Sequence, residues 1–160
     1  MSDSAEVVSE VVHVGPGQLF ASNDGHLLRT VLGSCVSVCL WDFRLRIGGM
    51  NHFLLPTSPS KAERNTRHGD VAMDALTDML RDLGSSLRSL TAHVFGGARI
   101  FAGPRSVAVD LGERNAEFAL RWLEEARIGV GTLDVGGTVA RRVEFSLAEG
   151  LATVRKLGGY

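Results

Sequence analysis

The 160-residue chain has only two cysteines, no long apolar run and no excess of charge of either sign. Each shortage excludes something. Two cysteines are too few for a disulfide framework, so Cys35 and Cys39 are expected as reduced thiols. No apolar segment reaches the roughly 18 residues needed to span a bilayer. The net charge is −1, so no global field points to nucleic acid or a membrane surface. The first residues, Ser2 to Glu6, lack the basic and apolar regions of a signal peptide, and a cytoplasmic protein is expected. Repeats of fixed period and low-complexity tracts are missing too. The short basic clusters, Arg44 with Arg46, Lys61-Arg64-Arg67 and Arg141-Arg142, read as solvated faces.

Nucleotide and metal signatures are also missing. The 19 glycines cluster at Gly48-Gly49, Gly96-Gly97 and Gly136-Gly137. They form neither GxGxxG after a strand nor GxxxxGK followed by Ser or Thr. Cys35 and Cys39 have metal-like spacing, but His13, His26, His52, His68 and His93 are scattered instead of pairing with them. Neither a metal nor a cofactor is expected.

What is present is a run of short strand patterns. They fall at Val11–Val14, Gln18–Ala21, His26–Leu32, Val36–Trp41 and Arg46–Leu55, with turn signals at Pro16-Gly17 and Asn23-Asp24-Gly25. Within Val36–Trp41, Val36, Val38 and Leu40 share one face and Ser37, Cys39 and Trp41 the other. A polar loop over 57–67 leads to a helix from about Gly69 to Leu83, with Ala72, Ala75, Leu76, Met79, Leu80 and Leu83 as its apolar stripe and Gly84 as its stop. A strand over Leu90–Phe95 precedes a second helix over Asn115–Ala126, with Asn115 as a fair N-cap. Strands at Gly131–Val135, Arg142–Ser146 and Ala152–Lys156 complete the chain, the last two joined at Glu149-Gly150. Residues 1–10 read as a flexible tail and 11–160 as one domain. Strand richness with few helices predicts an α+β fold, with mixed β-sheets and two main helices packed outside.

Cys35 is the candidate nucleophile. It follows Gly33-Ser34 at a sharp turn, where backbone N–H groups around Ser34 and Cys35 are available to an oxyanion. Cys39 sits inside an apolar alternation and reads as core. His52, at the end of the next strand, is the candidate base, expected to hold a thiolate–imidazolium pair with Cys35. Thr30, five residues before Cys35, is the best candidate to orient the imidazole. Asn51 and Asp70 are weaker choices for that role, and His68 is a second-choice base.

These residues resemble those of the CheD family of chemoreceptor glutamine deamidases. The resemblance rests on Leu32-Gly33-Ser34-Cys35-Val36-Ser37-Val38-Cys39-Leu40 and Gly49-Met50-Asn51-His52-Phe53-Leu54-Leu55-Pro56. It continues through Phe95-Gly96-Gly97-Ala98, Gly112-Glu113-Arg114-Asn115, Asp134-Val135-Gly136-Gly137 and Arg141-Arg142-Val143. It implies a Cys35-His52-Thr30 constellation, although the family's threonine lies one residue further from the cysteine, where this chain has Arg29. It also implies a layered α/β sandwich similar to the catalytic domain of cytotoxic necrotising factor toxins. The implied activity is a protein-glutamine glutaminase that converts glutamines of methyl-accepting chemoreceptor cytoplasmic domains to glutamate, through a thioester, in chemotaxis adaptation. The implied partners are those receptors and a CheC-type phosphatase. An adaptor that binds receptor or CheC with little turnover is the alternative.

Overall fold

The computed structural model describes residues 10–100 and 111–158. Residues 1–9 of the expected tail lie outside this range. Among the described residues, nine strands and two α-helices alternate irregularly. The strands are β1 (Val11–His13), β2 (Leu19–Ser22), β3 (Leu27–Leu32), β4 (Val36–Asp42), β5 (Ile47–Asn51), β6 (Leu90–Gly96), β7 (Gly129–Val135), β8 (Ala140–Ser146) and β9 (Leu151–Leu157). The helices are α1 (Gly69–Asp82) and α2 (Leu111–Glu125).

The strands form two mixed sheets. One has the order β1-β3-β8-β9, the other β2-β5-β4-β6-β7. Pairing is antiparallel except for β1 with β3 and β6 with β7. The expected α+β class is therefore observed, with the helices against one face of the five-stranded sheet.

The alternation in β4 explains the layering. Val36, Val38 and Leu40 pack with Ala72, Met73, Leu76 and Leu80 of α1 and with Ala116, Ala119 and Leu123 of α2. Cys39 and Trp41, on the other face, pack with Leu28 and Leu32 of β3 and with Val143 and Phe145 of β8. A period of two thus sends one strand's side chains into two different cores. Every residue of β4 is buried, as its place between two layers requires. Burial of this apolar area is the main favourable contribution to folding.

Three expectations need correction. First, α2 starts at Leu111, not at Asn115, so Asn115 is a buried residue inside the helix and not its N-cap. The polar stretch Gly112–Asn115 looked like a cap, but Gly112 serves close approach. A Cβ there would stand 2.5 Å from Gly97 O and 2.6 Å from Ala98 O. Second, Arg141 is not on a solvated face; it is only 2% exposed, while Arg142 is exposed. The β8 alternation turns Arg141 inward with Val143 and Phe145. Its guanidinium donates to Asp134 Oδ1 at 3.1 Å, Gly136 O at 2.7 Å and Gly96 O at 3.3 Å. A buried cation needs such partners. Third, the buried face of α1 is turned toward Met73 and Thr77, while Ala75 and Met79 are half-buried at its border.

Gly49 shows how tightly α1 lies on the sheet. A Cβ at Gly49 would stand 2.6 Å from Phe20 O and 2.7 Å from Leu76 Cδ1. Nothing lies within 4 Å of a Cβ at Gly129. Gly49→Ala is therefore expected to cost about 1–3 kcal/mol through overpacking. Gly129→Ala should stabilise by about 0.4–1 kcal/mol by restricting the unfolded chain. Urea midpoints of the two variants check the contrast; equal midpoints would contradict it.

Candidate active site

The turn Gly33-Ser34-Cys35 enters β4, and His52 follows β5 directly. The two strands are antiparallel and their register holds beyond β5. Val36 N–H donates to Phe53 O at 3.1 Å, and Phe53 N–H donates to Val36 O at 3.0 Å. Ser37 therefore stands opposite His52, and Cys35 is its diagonal neighbour on the same face. Diagonal positions of this kind are about 7–8 Å apart, within reach of a ring. Between them the ladder opens, because Asn51 Oδ1 takes Val38 N–H at 2.9 Å. Asn51 and Phe53 turn to the helices; Asn51 Nδ2 donates to Ala72 O at 3.3 Å, and Phe53 meets Phe118 edge-on at 6.1 Å. His52 turns the other way, toward β1 and β3.

There the imidazole is fixed. Nδ1 lies 2.8 Å from Thr30 Oγ1 and 3.2 Å from Val14 O. Thr30 Oγ1 donates to Val14 O at 2.5 Å. The Val14 carbonyl only accepts, and the threonine proton is already directed to it. The ring proton is thereby assigned to Nδ1, and Nε2 keeps its lone pair. His52 and Thr30 are 2% and 4% exposed. Burial lowers the His52 pKa below the ordinary histidine value, while the Val14 carbonyl pulls it upward. The ring rests neutral, ready to accept a proton at Nε2.

The turn carrying Cys35 is tied down by its carbonyls. Gly33 O accepts from Ala98 N–H at 2.9 Å, and Cys35 O accepts from Gly97 N–H at 2.9 Å. Ser34 O accepts from Asn115 Nδ2 at 3.0 Å. Among the described residues, no other group takes the N–H of Ser34 or of Cys35. Gly96 must be glycine here: its φ is +110°, and a Cβ would collide with Cys35 O.

Cys35 is half-buried and Cys39 fully buried. Burial raises the Cys35 thiol pKa, and its own backbone N–H opposes that by favouring the thiolate. Cys39 is pushed up much further by complete burial. Burial of both groups thus works against the thiolate–imidazolium pair expected between them. Two cavities flank the site, and Cys35 lines neither. One of about 340 Å³ reaches His52 past Thr30, Val14 and Arg29. The other, about 450 Å³, borders Gly97 beside α2 and Gly136.

The weaker alternatives are engaged elsewhere. Asn51 faces the helices, as described. Asp70 accepts from Ser58 N–H and Oγ at the start of α1. His68 stands before α1, paired with Leu55, and its Nδ1 has no partner among the described residues. Two contributors escaped the sequence reading. Val14 acts through a carbonyl, which no side-chain pattern reveals. Asn115 was visible in its motif, but its reach to Ser34 depends on tertiary packing.

Residues 54–156 match the family model described as CheD chemotactic sensory transduction. That segment begins just after His52. A Shewanella oneidensis protein described as probable chemoreceptor glutamine deamidase CheD 1 is 42% identical over 150 residues, covering 91% of this chain and 72% of that protein. An Anaeromyxobacter dehalogenans protein of the same description is 44% identical over 146 residues, covering 91% and 84%. Among solved structures, a Neisseria meningitidis protein of the family DUF152 aligns with a TM-score of 0.47 and 14% identity, covering 83% of this chain and 65% of that one.

The upward push on the Cys35 thiol makes a prediction. Only the thiolate is alkylated, so the rate at Cys35 should rise about tenfold per pH unit through pH 8 and continue past the ordinary cysteine value of about 8.5. Peptide mapping after iodoacetamide should find Cys39 unmodified. A rate that levels off near pH 6–7 would mean that an ion pair already exists.

Proposed function

The chain belongs to the CheD family, and from that premise we propose that it deamidates glutamines in the cytoplasmic domains of methyl-accepting chemoreceptors. Residues 11–160 act as one deamidase domain. The supporting observation is the shared face of Cys35 and His52, with the His52 Nδ1 proton held by Thr30 and Val14 so that Nε2 is free. Likeness to relatives described as probable chemoreceptor glutamine deamidases supports the substrate class.

In this reading Cys35 Sγ attacks the carboxamide carbon as its proton passes to His52 Nε2. Transfer during attack suits a pair that rests neutral. The carbonyl π electrons move to oxygen, and the N–H groups of Ser34 and Cys35 receive the oxyanion. One such donor is typically worth about 3–4 kcal/mol. The intermediate collapses, the C–N bond breaks, and the imidazolium gives its proton to the departing nitrogen. Ammonia leaves and a thioester remains. Water then attacks the thioester carbon and His52 takes its proton. The C–S bond breaks, and the proton returns to Cys35. The products are glutamate and ammonia, and no redox partner is required.

Among the described residues no helix is long and apolar enough to cross a membrane. A cytoplasmic enzyme meeting receptor tails fits the substrate. A CheC-type phosphatase is a second proposed partner, carried by the family resemblance alone.

The test is incubation with a folded receptor cytoplasmic fragment, followed by peptide mass mapping. Wild type should add about 1 Da at specific glutamines, and Cys35→Ala and His52→Ala should not. Binding without any conversion by wild type would favour the adaptor function instead. Thr30→Val should lower kcat by roughly 10–100-fold with KM little changed. That is less than the roughly 10⁴-fold loss when a triad's charged orienting group is removed, because Val14 O still holds the Nδ1 proton. An unchanged kcat would remove Thr30 from the site.

A further inference from the structure

We propose that Asn115 is a positioning residue that holds the Ser34–Cys35 peptide so that Cys35 N–H faces the reacting carboxamide and receives its oxyanion. This rests on the reading that Cys35 attacks a carboxamide.

Asn115 is fully buried in α2, and its Nδ2 donates to two backbone carbonyls, Ser34 O at 3.0 Å and Leu54 O at 2.9 Å. Ser34 immediately precedes Cys35, and Leu54 lies two residues after His52. One side-chain amide thus spans the two segments that bear the candidate nucleophile and base. No peptide bond among the described residues is cis. In a trans peptide the C=O and N–H point in opposite directions. Fixing Ser34 O toward α2 therefore aims Cys35 N–H away from α2. The preceding peptide obeys the same rule: Ala98 N–H holds Gly33 O, which turns Ser34 N–H outward.

Two features separate Asn115 from an ordinary packing residue. Asparagine is a weak helix former, yet it lies inside a helix. Its Oδ1 is buried with no hydrogen-bond partner among the described residues, an arrangement that costs stability. The helix is already seated by Gly112 against Gly97 and Ala98. Asn115 adds the orientation of one particular peptide plane.

An oxyanion forms when a carbonyl is attacked, but not when a thiol displaces iodide. The experiment measures kcat and KM on a receptor cytoplasmic fragment, and iodoacetamide alkylation at Cys35, for wild type, Asn115→Ala and the isosteric Asn115→Leu. The expected result is a kcat lower by roughly 10²-fold, near the lower end of the loss of one oxyanion donor. KM and the alkylation rate should stay within about threefold. A kcat near wild type in a folded variant overturns the proposal. So does a parallel fall in kcat and alkylation, which would mean a collapsed turn. If wild type itself does not convert glutamine, the deamidase reading fails and this inference with it. Should neither variant fold, wild type alone decides. It is titrated with a substrate peptide carrying an aldehyde in place of the glutamine carboxamide. The Cys35 amide proton should move downfield as it receives the hemithioacetal oxygen, and an unmoved proton overturns the proposal.

Discussion

Three consecutive carbonyls, those of Gly33, Ser34 and Cys35, are each held from behind, and the arrangement of the site depends on that. The donors come from distant parts of the chain: Ala98 N–H, Asn115 Nδ2 and Gly97 N–H. With its carbonyls occupied on one side, the turn leaves its N–H groups on the other. The supports are themselves supported. Gly136 N–H and the Arg141 guanidinium hold Gly96 O, and Asp134 holds Arg141. Gly112 brings α2 close enough for Asn115 to reach the turn. A backbone site of this kind needs little reorganisation when charge develops, which is where preorganised donors have their value.

The second constraint is the continued register of β4 with β5 through the Val36–Phe53 pair. It puts Cys35 and His52 on the face toward the four-stranded sheet. Their neighbours Val36, Asn51 and Phe53 are sent to the helical side. A slip of one residue would turn the imidazole to the helices and away from Thr30. The same layering accounts for the pKa directions. A site between two packed layers is short of water, so the thiol goes up and the imidazole goes down. Burial thus opposes a standing ion pair.

Much of this was legible in the chain. The alternation over Val36–Leu40 correctly assigned the two faces of β4, because a strand with a period of two leaves little choice. Cys39 was separated from Cys35 on the same ground. Mixed sheets with external helices followed from short strands joined by tight turns. The errors had physical causes. Arg141 was read from its charge, but its strand position, two residues from Val143, outweighs charge once Asp134 and two carbonyls satisfy the guanidinium. Asn115 was read as a local cap, but its partners lie about 60 and 80 residues away in sequence, and local pattern carries no record of them. The Val14 carbonyl was invisible because backbone atoms are the same at every residue.

The proposed chemistry requires Cys35 to form a thioester with the substrate. Mixing wild type with a receptor fragment, quenching in acid within one turnover and measuring intact mass tests it directly. The expected result is a covalent species equal to the sum of the two chains less one ammonia, about 17 Da, as acyl transfer to a cysteine requires. Peptide mapping should locate the bond at Cys35, and hydroxylamine should cleave it. Glutamate formation with no such adduct, and with full turnover retained by Cys35→Ala, would mean that Cys35 is not the nucleophile.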